Sequence, residues 1–182
     1  MMPKKQIHIN MNEFAGTYTI DQVDDVLKHM KIKVKKAKAC KPLKTYVLIV
    51  SCNFPATHTN AKQPTFFVPK IKKVEKIHTI RTNYYFWKKR IDEINKGNAV
   101  LSVRFWTGNP YNSKQKEVCK FHKLGIQKID ISTKKIKIDK IEKTDIRTTL
   151  SHNDGLSLTD FNNWFKKPLK NGCIIHFTER RY

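Results

Sequence analysis

The chain is short of acidic residues, closely spaced cysteines and long apolar runs, and each shortage excludes something. The longest uninterrupted apolar stretch is residues 47–50, with Tyr46 in front of it, whereas crossing a bilayer takes roughly 20 residues. The start, Met1-Met2-Pro3-Lys4-Lys5-Gln6, is basic but no apolar block of leader length follows it. The sequence therefore predicts a soluble chain with no membrane span and no secretory leader. Cys40, Cys52, Cys119 and Cys173 form no C-x-x-C pair, and no histidine stands at zinc-finger spacing from two of them. A zinc site is not expected, nor any other metal or cofactor. Cys119 and Cys173 fall in apolar alternation and read as reduced core residues, which suits a cytoplasmic setting.

The shortage of acid has the widest consequence. Lys and Arg number 37 against 15 Asp and Glu, a net charge of +22 on 182 residues. Such an excess repels itself in a folded body unless a polyanion supplies the counter-charge. Nucleic acid is the expected partner, RNA or nucleotides first and DNA not excluded. An anionic membrane surface is second, because no long basic amphipathic helix or lipidation signal accompanies the charge. The split of 31 Lys to 6 Arg also fits a plain lysine-rich surface with no ligand. Apolar residues make up 39% of the chain and include ten Phe, enough for a core, and the length suits one domain with an appendage. A monomer is favoured.

Along the chain, the first 44 residues differ from the rest. Thr19 and Gln22 make a capping box, Asp21, Asp24 and Asp25 fill a first turn, and Ile20, Val23, Val26, Leu27 and Met30 keep helical period, so a short helix is expected over 20–30. Residues 28–44 then hold 8 lysines and no acid. The body is read from residue 45. Residues 46–51 suggest a strand buried on both faces, and residues 53–65 a long loop. Tyr84, Trp87, Ile91 and Ile94 give a helix capped by Asn83 or Thr82 and ended at Gly97. Alternation over residues 99–106, 117–121, 126–131, 136–141 and 173–178 gives further strands. Ser157 and Asp160 cap a helix carrying Leu158, Phe161, Trp164 and Phe165. About six strands with two to three inserted helices make an α+β fold, and that count suits a small mixed β-barrel.

The segment richest in chemistry is Lys76-Ile77-His78-Thr79-Ile80-Arg81, with an amine, an imidazole, a hydroxyl and a guanidinium within six residues. Alone, the Lys–Thr pair reads first as a cap beside a solvated lysine. Together with Trp87 to Ile94, Gly97 to Gly108, Ser113-Lys114-Gln115, Asn153-Asp154-Gly155-Leu156-Ser157 and Ile174-Ile175-His176-Phe177-Thr178, it resembles the ASCH domain family. The resemblance covers about residues 45–182 and implies a PUA-like barrel that binds RNA or nucleotides in a cleft. It also implies, from the branch that hydrolyses N4-acylated cytidine, Lys76 as general base, Thr79 as nucleophile and Asp154 as the acid; ribonuclease activity is known elsewhere in the family. Two positions depart from the pattern. Val74 stands where the family usually has glycine, and Asp154 replaces a glutamate, one methylene longer. The chemistry requires a lysine whose pKa is depressed, which burial or neighbouring Arg81 and His78 would provide. It also requires a bend between residues 76 and 79, because i and i+3 of an extended strand face opposite ways.

Aromatic and basic residues lie side by side over residues 82–90. Tyr84 and Trp87 read as core, whereas Tyr85, Lys88 and Lys89 join Arg81 and His78 as candidate nucleic-acid contacts. Arg104, Trp106 and Lys114 flank a turn and complete that set, with Trp106 either stacking on a base or turned inward. His58 is read as inert or as a phosphate ligand. The leading expectation is an RNA- or modified-nucleoside-binding domain. A hydrolase using the same residues is the first rival, and a basic protein that binds an acidic protein partner is the second.

Overall fold

The structure, a computed structural model, describes residues 6–9, 16–19 and 43–182. The chain divides into two units, Met1–Pro42 and Leu43–Tyr182. In the first, β1 (Gln6–Ile9) pairs antiparallel with β2 (Gly16–Thr19), with Gln6 opposite Thr19. The helix expected over 20–30 and the basic run from residue 28 to 42 lie outside the described residues.

The second unit is α+β. Its order is β3 (Lys44–Ile49), α1 (Phe67–Lys72), β4 (His78–Arg81), α2 (Tyr84–Asn95), β5 (Ala99–Trp106), β6 (Gln115–Phe121), β7 (Gly125–Ile131), β8 (Ile136–Ile138), β9 (Ile141–Lys143), α3 (Ile146–Asn153), α4 (Leu158–Trp164) and β10 (Leu169–His176). The strands form two sheets, β3-β5-β6 and β4-β10-β7-β8-β9. The expected six-stranded barrel is corrected accordingly: among the described residues the ladders do not close, and a three-stranded and a five-stranded sheet stand in its place. β3 runs parallel to β5; all the other pairs in these sheets are antiparallel.

Local chemistry explains most of these elements. Asn83 caps α2 by accepting a hydrogen bond from the Phe86 N–H at 3.2 Å, and Gly97 ends it at φ 78°, a backbone that costs glycine nothing. Ser157 accepts from the Asp160 N–H at 3.0 Å and starts α4. In β7, every second residue from Gly125 to Ile131 is buried, as a sheet with one solvated face requires. β3 is not the doubly buried strand expected. It pairs only with β5, at the sheet edge, and Val47 is 38% exposed although Leu48 is sealed. The run read as one strand over 136–141 is a hairpin. Asp139 and Lys140 both take positive φ, 50° and 73°, the left-handed pair that a two-residue turn uses. Cys173 is sealed, and burial pushes its thiol up to about 12. Cys119 is only half-buried.

The core joins Leu48, Leu101 and Val103 of one sheet to Ile80, Ile129, Ile174 and Ile175 of the other, with Ile91, Ile94, Leu150 and Phe161 contributed by helices. Residues 53–65 form a loop closed at its base by the Asn53–Pro64 bridge and by Phe54 N–H donating to Gln63 O at 2.9 Å. That loop lies against α4. His58 Nε2–H donates to Asp160 O at 3.1 Å while Nδ1 accepts from the Asn60 N–H at 3.0 Å. Both ring nitrogens are committed, so His58 is a structural strut.

Candidate functional site

α1 holds the key to the site's geometry. Its chain leaves through Lys73 and Val74, where Val74 takes φ 60°. The Glu75 and Lys76 N–H groups then turn back to donate to Lys70 O at 2.9 and 3.1 Å. This is the required bend: Lys76 precedes β4 and does not belong to it. From His78 the chain is extended, so Thr79 and Arg81 share one face of β4 while His78 and Ile80 share the other. Asp154 arrives from the end of α3. Gly155 follows it at φ 73°, and a Cβ there would stand 3.2 Å from Lys76 Cβ and from Lys70 Cδ. Only glycine allows both that backbone and that approach.

Lys76, Thr79, Ile80, Arg81 and Asp154 line one cavity with Ser51, Phe67, Trp164 and Phe165. Lys76 is 2% exposed and Asp154 5%. The Lys76 amine donates to Asp154 Oδ1 as a buried ion pair, and to Asp154 O at 2.6 Å. It also stands 4.2 Å from the centre of the Phe67 ring. Burial pulls the Lys76 amine below its usual range, Arg81 and Lys70 pull the same way, and Asp154 opposes. Burial pushes the Asp154 carboxyl upward against the opposing pull of Lys76 and Arg81. Both groups are thus biased toward their neutral forms, an amine and a carboxylic acid, which are one proton transfer away from the ion pair. Arg81 is fixed by Nη2 donating to Ile49 O at 2.6 Å. No described residue holds the Thr79 hydroxyl. The cavity measures about 20 Å³, room for about one water.

His78 is not part of this constellation, and its expected contact role is corrected. It has no exposure and lies on the opposite face of β4, where Nδ1 meets the Tyr182 hydroxyl at 2.9 Å. Nor does it depress the lysine; burial does so first. Tyr182, which the sequence reading missed, is latched from two sides. Its hydroxyl accepts from Asn153 Nδ2 at 2.7 Å, and its backbone exchanges two bonds with the Gln127 amide at 2.8 and 2.9 Å. A terminal tyrosine carries no periodicity or capping pattern from which such docking can be read.

The remaining candidates lie outside the cavity. Tyr85 is 70% exposed on α2, while Lys88 is paired with Asp92 at 2.6 Å. Lys89 and Lys114 are exposed. Arg104 Nε donates to Ser102 Oγ at 2.8 Å, and Ser102 Oγ donates to Glu117, so the guanidinium is partly spent on its own sheet. Trp106 is half-buried against Tyr111, ring centres 5.4 Å apart. Among the described residues no cluster of three or more His, Cys, Asp or Glu is placed to hold a metal, and no helix is long and apolar enough to cross a membrane. Comparison with models of known families, with curated proteins and with solved structures returns no match to this chain.

Proposed function

We propose that residues 45–182 are a PUA-like domain of ASCH type that recognises RNA or a modified nucleoside, with Lys76, Thr79, Arg81 and Asp154 as its specificity site. The carrying observation is that Lys76 and Asp154, 78 positions apart, meet in the cavity that Thr79 and Arg81 also line. Val74 adds support: the position where the resembled family has glycine has the left-handed backbone that favours glycine. The net charge of +22 supplies attraction to a phosphate backbone. RNA affinity is expected to fall with salt at a log–log slope near −0.7 for each phosphate contacted.

A hydrolytic reading is favoured by the sealed contact of Lys76 with Asp154, where burial draws the pair toward a neutral amine and a protonated acid. In that form Lys76 takes the Thr79 proton as the hydroxyl oxygen attacks the acyl carbon of an N4-acylated cytosine. The C–N bond breaks, Asp154 delivers a proton to the departing exocyclic nitrogen, and water then cleaves the threonyl ester. Incubation with a nucleoside panel that includes N4-acylated cytidines, followed by mass detection, separates the two readings. Product that disappears in Lys76→Ala supports hydrolysis. Salt-dependent RNA affinity without product supports recognition alone. The absence of both at low salt favours a protein partner for the basic surface.

A further inference from the structure

The inner cavity, at about 20 Å³, is too small for a nucleoside; sites for small ligands run to roughly 300–1,000 Å³. A cleft of about 480 Å³ lies beside it, lined by Pro55, Thr57, His58, Asn163, Trp164, Lys166 and Lys167. The two share one residue, Trp164, at the last turn of α4. Other described clefts of similar size share no residue with the cavity.

Trp164 is half-buried within a chain of aromatic contacts. Its ring centre is 5.8 Å from Phe54, 6.0 Å from His58 and 5.9 Å from Phe67, and Phe67 in turn carries the Lys76 amine. Trp164 is therefore common to the walls of the cleft and of the Lys76–Thr79 cavity. The cleft's outer walls are fixed. Asn163 Nδ2 donates to Thr59 Oγ1 at 2.6 Å, Lys166 Nζ to Thr57 O at 2.8 Å, and Asn60 Nδ2 to Asp160 Oδ1 at 2.8 Å. Lys166 and Lys167 are exposed at the rim and pair with no carboxylate among the described residues. An aromatic face beside two uncompensated ammonium groups has the chemistry of a nucleotide site, with a base against the ring and a phosphate on the amines.

We propose that this cleft is the binding chamber for the ligand of the Lys76 site, that the ligand carries a phosphate, and that its base lies against Trp164, the residue common to the cleft and to the cavity of Thr79. The direction of the base rests on the function proposed above; the phosphate subsite rests on the cleft alone. Affinity is thus divided, with Lys166 and Lys167 reading the phosphate and the inner residues reading the base.

The test is a titration of the full chain at low salt with cytidine and with cytidine 5′-monophosphate, in wild type, Lys166→Gln/Lys167→Gln, Trp164→Ala and Thr79→Val. The monophosphate is expected to bind at least tenfold more tightly than cytidine. The double lysine change is expected to abolish that difference, and Trp164→Ala to weaken both ligands. Equal affinity for the two, or a preference that survives the double change, overturns the chamber even if Thr79→Val weakens cytidine and so upholds the inner site. A monophosphate preference lost in the double variant but unmoved by Thr79→Val upholds the phosphate subsite and overturns the reading of the inner site. No binding of either ligand overturns both.

Discussion

Each face of β4 carries a buried polar residue, Thr79 on one and His78 on the other, in different surroundings. One presents Thr79 and Arg81 to a cavity closed by the Lys76–Asp154 pair. The other presents His78 to His176 across the ladder, ring centres 5.9 Å apart, with Tyr182 set 5.5 and 5.6 Å from the two rings. On the sealed face, His78 Nε2, both His176 nitrogens and Thr178 Oγ1 have no hydrogen-bond partner among the described residues. Burial holds His176 down to about 4 and His78 well below the usual imidazole range, so both rings stay neutral and behave as core. On the cavity face the Lys76 amine and the Asp154 carboxyl are spent on each other, and the Thr79 hydroxyl, which no described residue holds, stands at the edge of a space. Burial alone does not mark a functional residue, and the cavity beside Thr79 is what sets its face apart.

The largest effect that would sharpen this contrast is removal of one ion-pair partner. Lys76→Met leaves the Asp154 carboxyl buried without its cation and is expected to cost about 3–5 kcal/mol. Adding Asp154→Leu should recover most of that loss, as read from urea unfolding. Recovery of stability without recovery of ligand binding separates the two roles of the pair. If the double variant kept both stability and binding, the pair would be structural only.

Next in size is the acid response of the sealed face. His176 titrates near 6.5 when unfolded and at about 4 when folded. The unfolded chain therefore binds the extra proton between those values. Stability is whole above about pH 6.5 and drains as pH falls toward 4, by about 3 kcal/mol from this group. His78, shifted in the same direction, adds to the loss. His176→Leu should flatten the profile over that window, and an unchanged profile would place the acid sensitivity elsewhere.

The smallest expected effect concerns the bend that turns Lys76 toward the face of Thr79. Val74→Gly relieves a β-branched residue at φ 60° and is expected to raise stability by about 1 kcal/mol, after allowing for the greater freedom of glycine in the unfolded chain. A loss of stability would show that the Val74 side chain contributes more than its backbone costs.

What was legible in the sequence follows from these particulars. Lys76, Thr79 and Asp154 were singled out through the resemblance to the ASCH family, since the Lys–Thr pair alone reads as a cap beside a solvated lysine, whereas Asn83, Gly97 and Ser157 were readable because caps and stops have local chemistry. α1 carries no cap signal: it starts from a left-handed Phe66 without a side-chain cap and holds Pro69 in its first turn, where the missing N–H costs nothing. α3 was missed because Asp145 begins it from a left-handed backbone without a side-chain cap. The β8–β9 turn was missed because Asp139-Lys140 lacks the glycine that usually announces one. Trp164 was expected on an apolar face, and nothing in its spacing revealed that it lines both a cleft and a cavity. His78 was misassigned because neighbours in a strand point to opposite sides, and the motif alone does not say which side is open.

The most direct measurement compares one variant from each face, Thr79→Val and Tyr182→Phe, for affinity toward the tightest ligand of the nucleoside panel and for unfolding free energy. Thr79→Val removes a hydroxyl that no described residue holds, so stability should change by less than about 1 kcal/mol while affinity falls at least tenfold. Tyr182→Phe strips the bonds to His78 and Asn153, so stability should fall by about 1–3 kcal/mol while affinity, measured where the protein is folded, stays unchanged. Unaltered affinity in Thr79→Val, or lost affinity in Tyr182→Phe, would contradict the assignment of function to the cavity face.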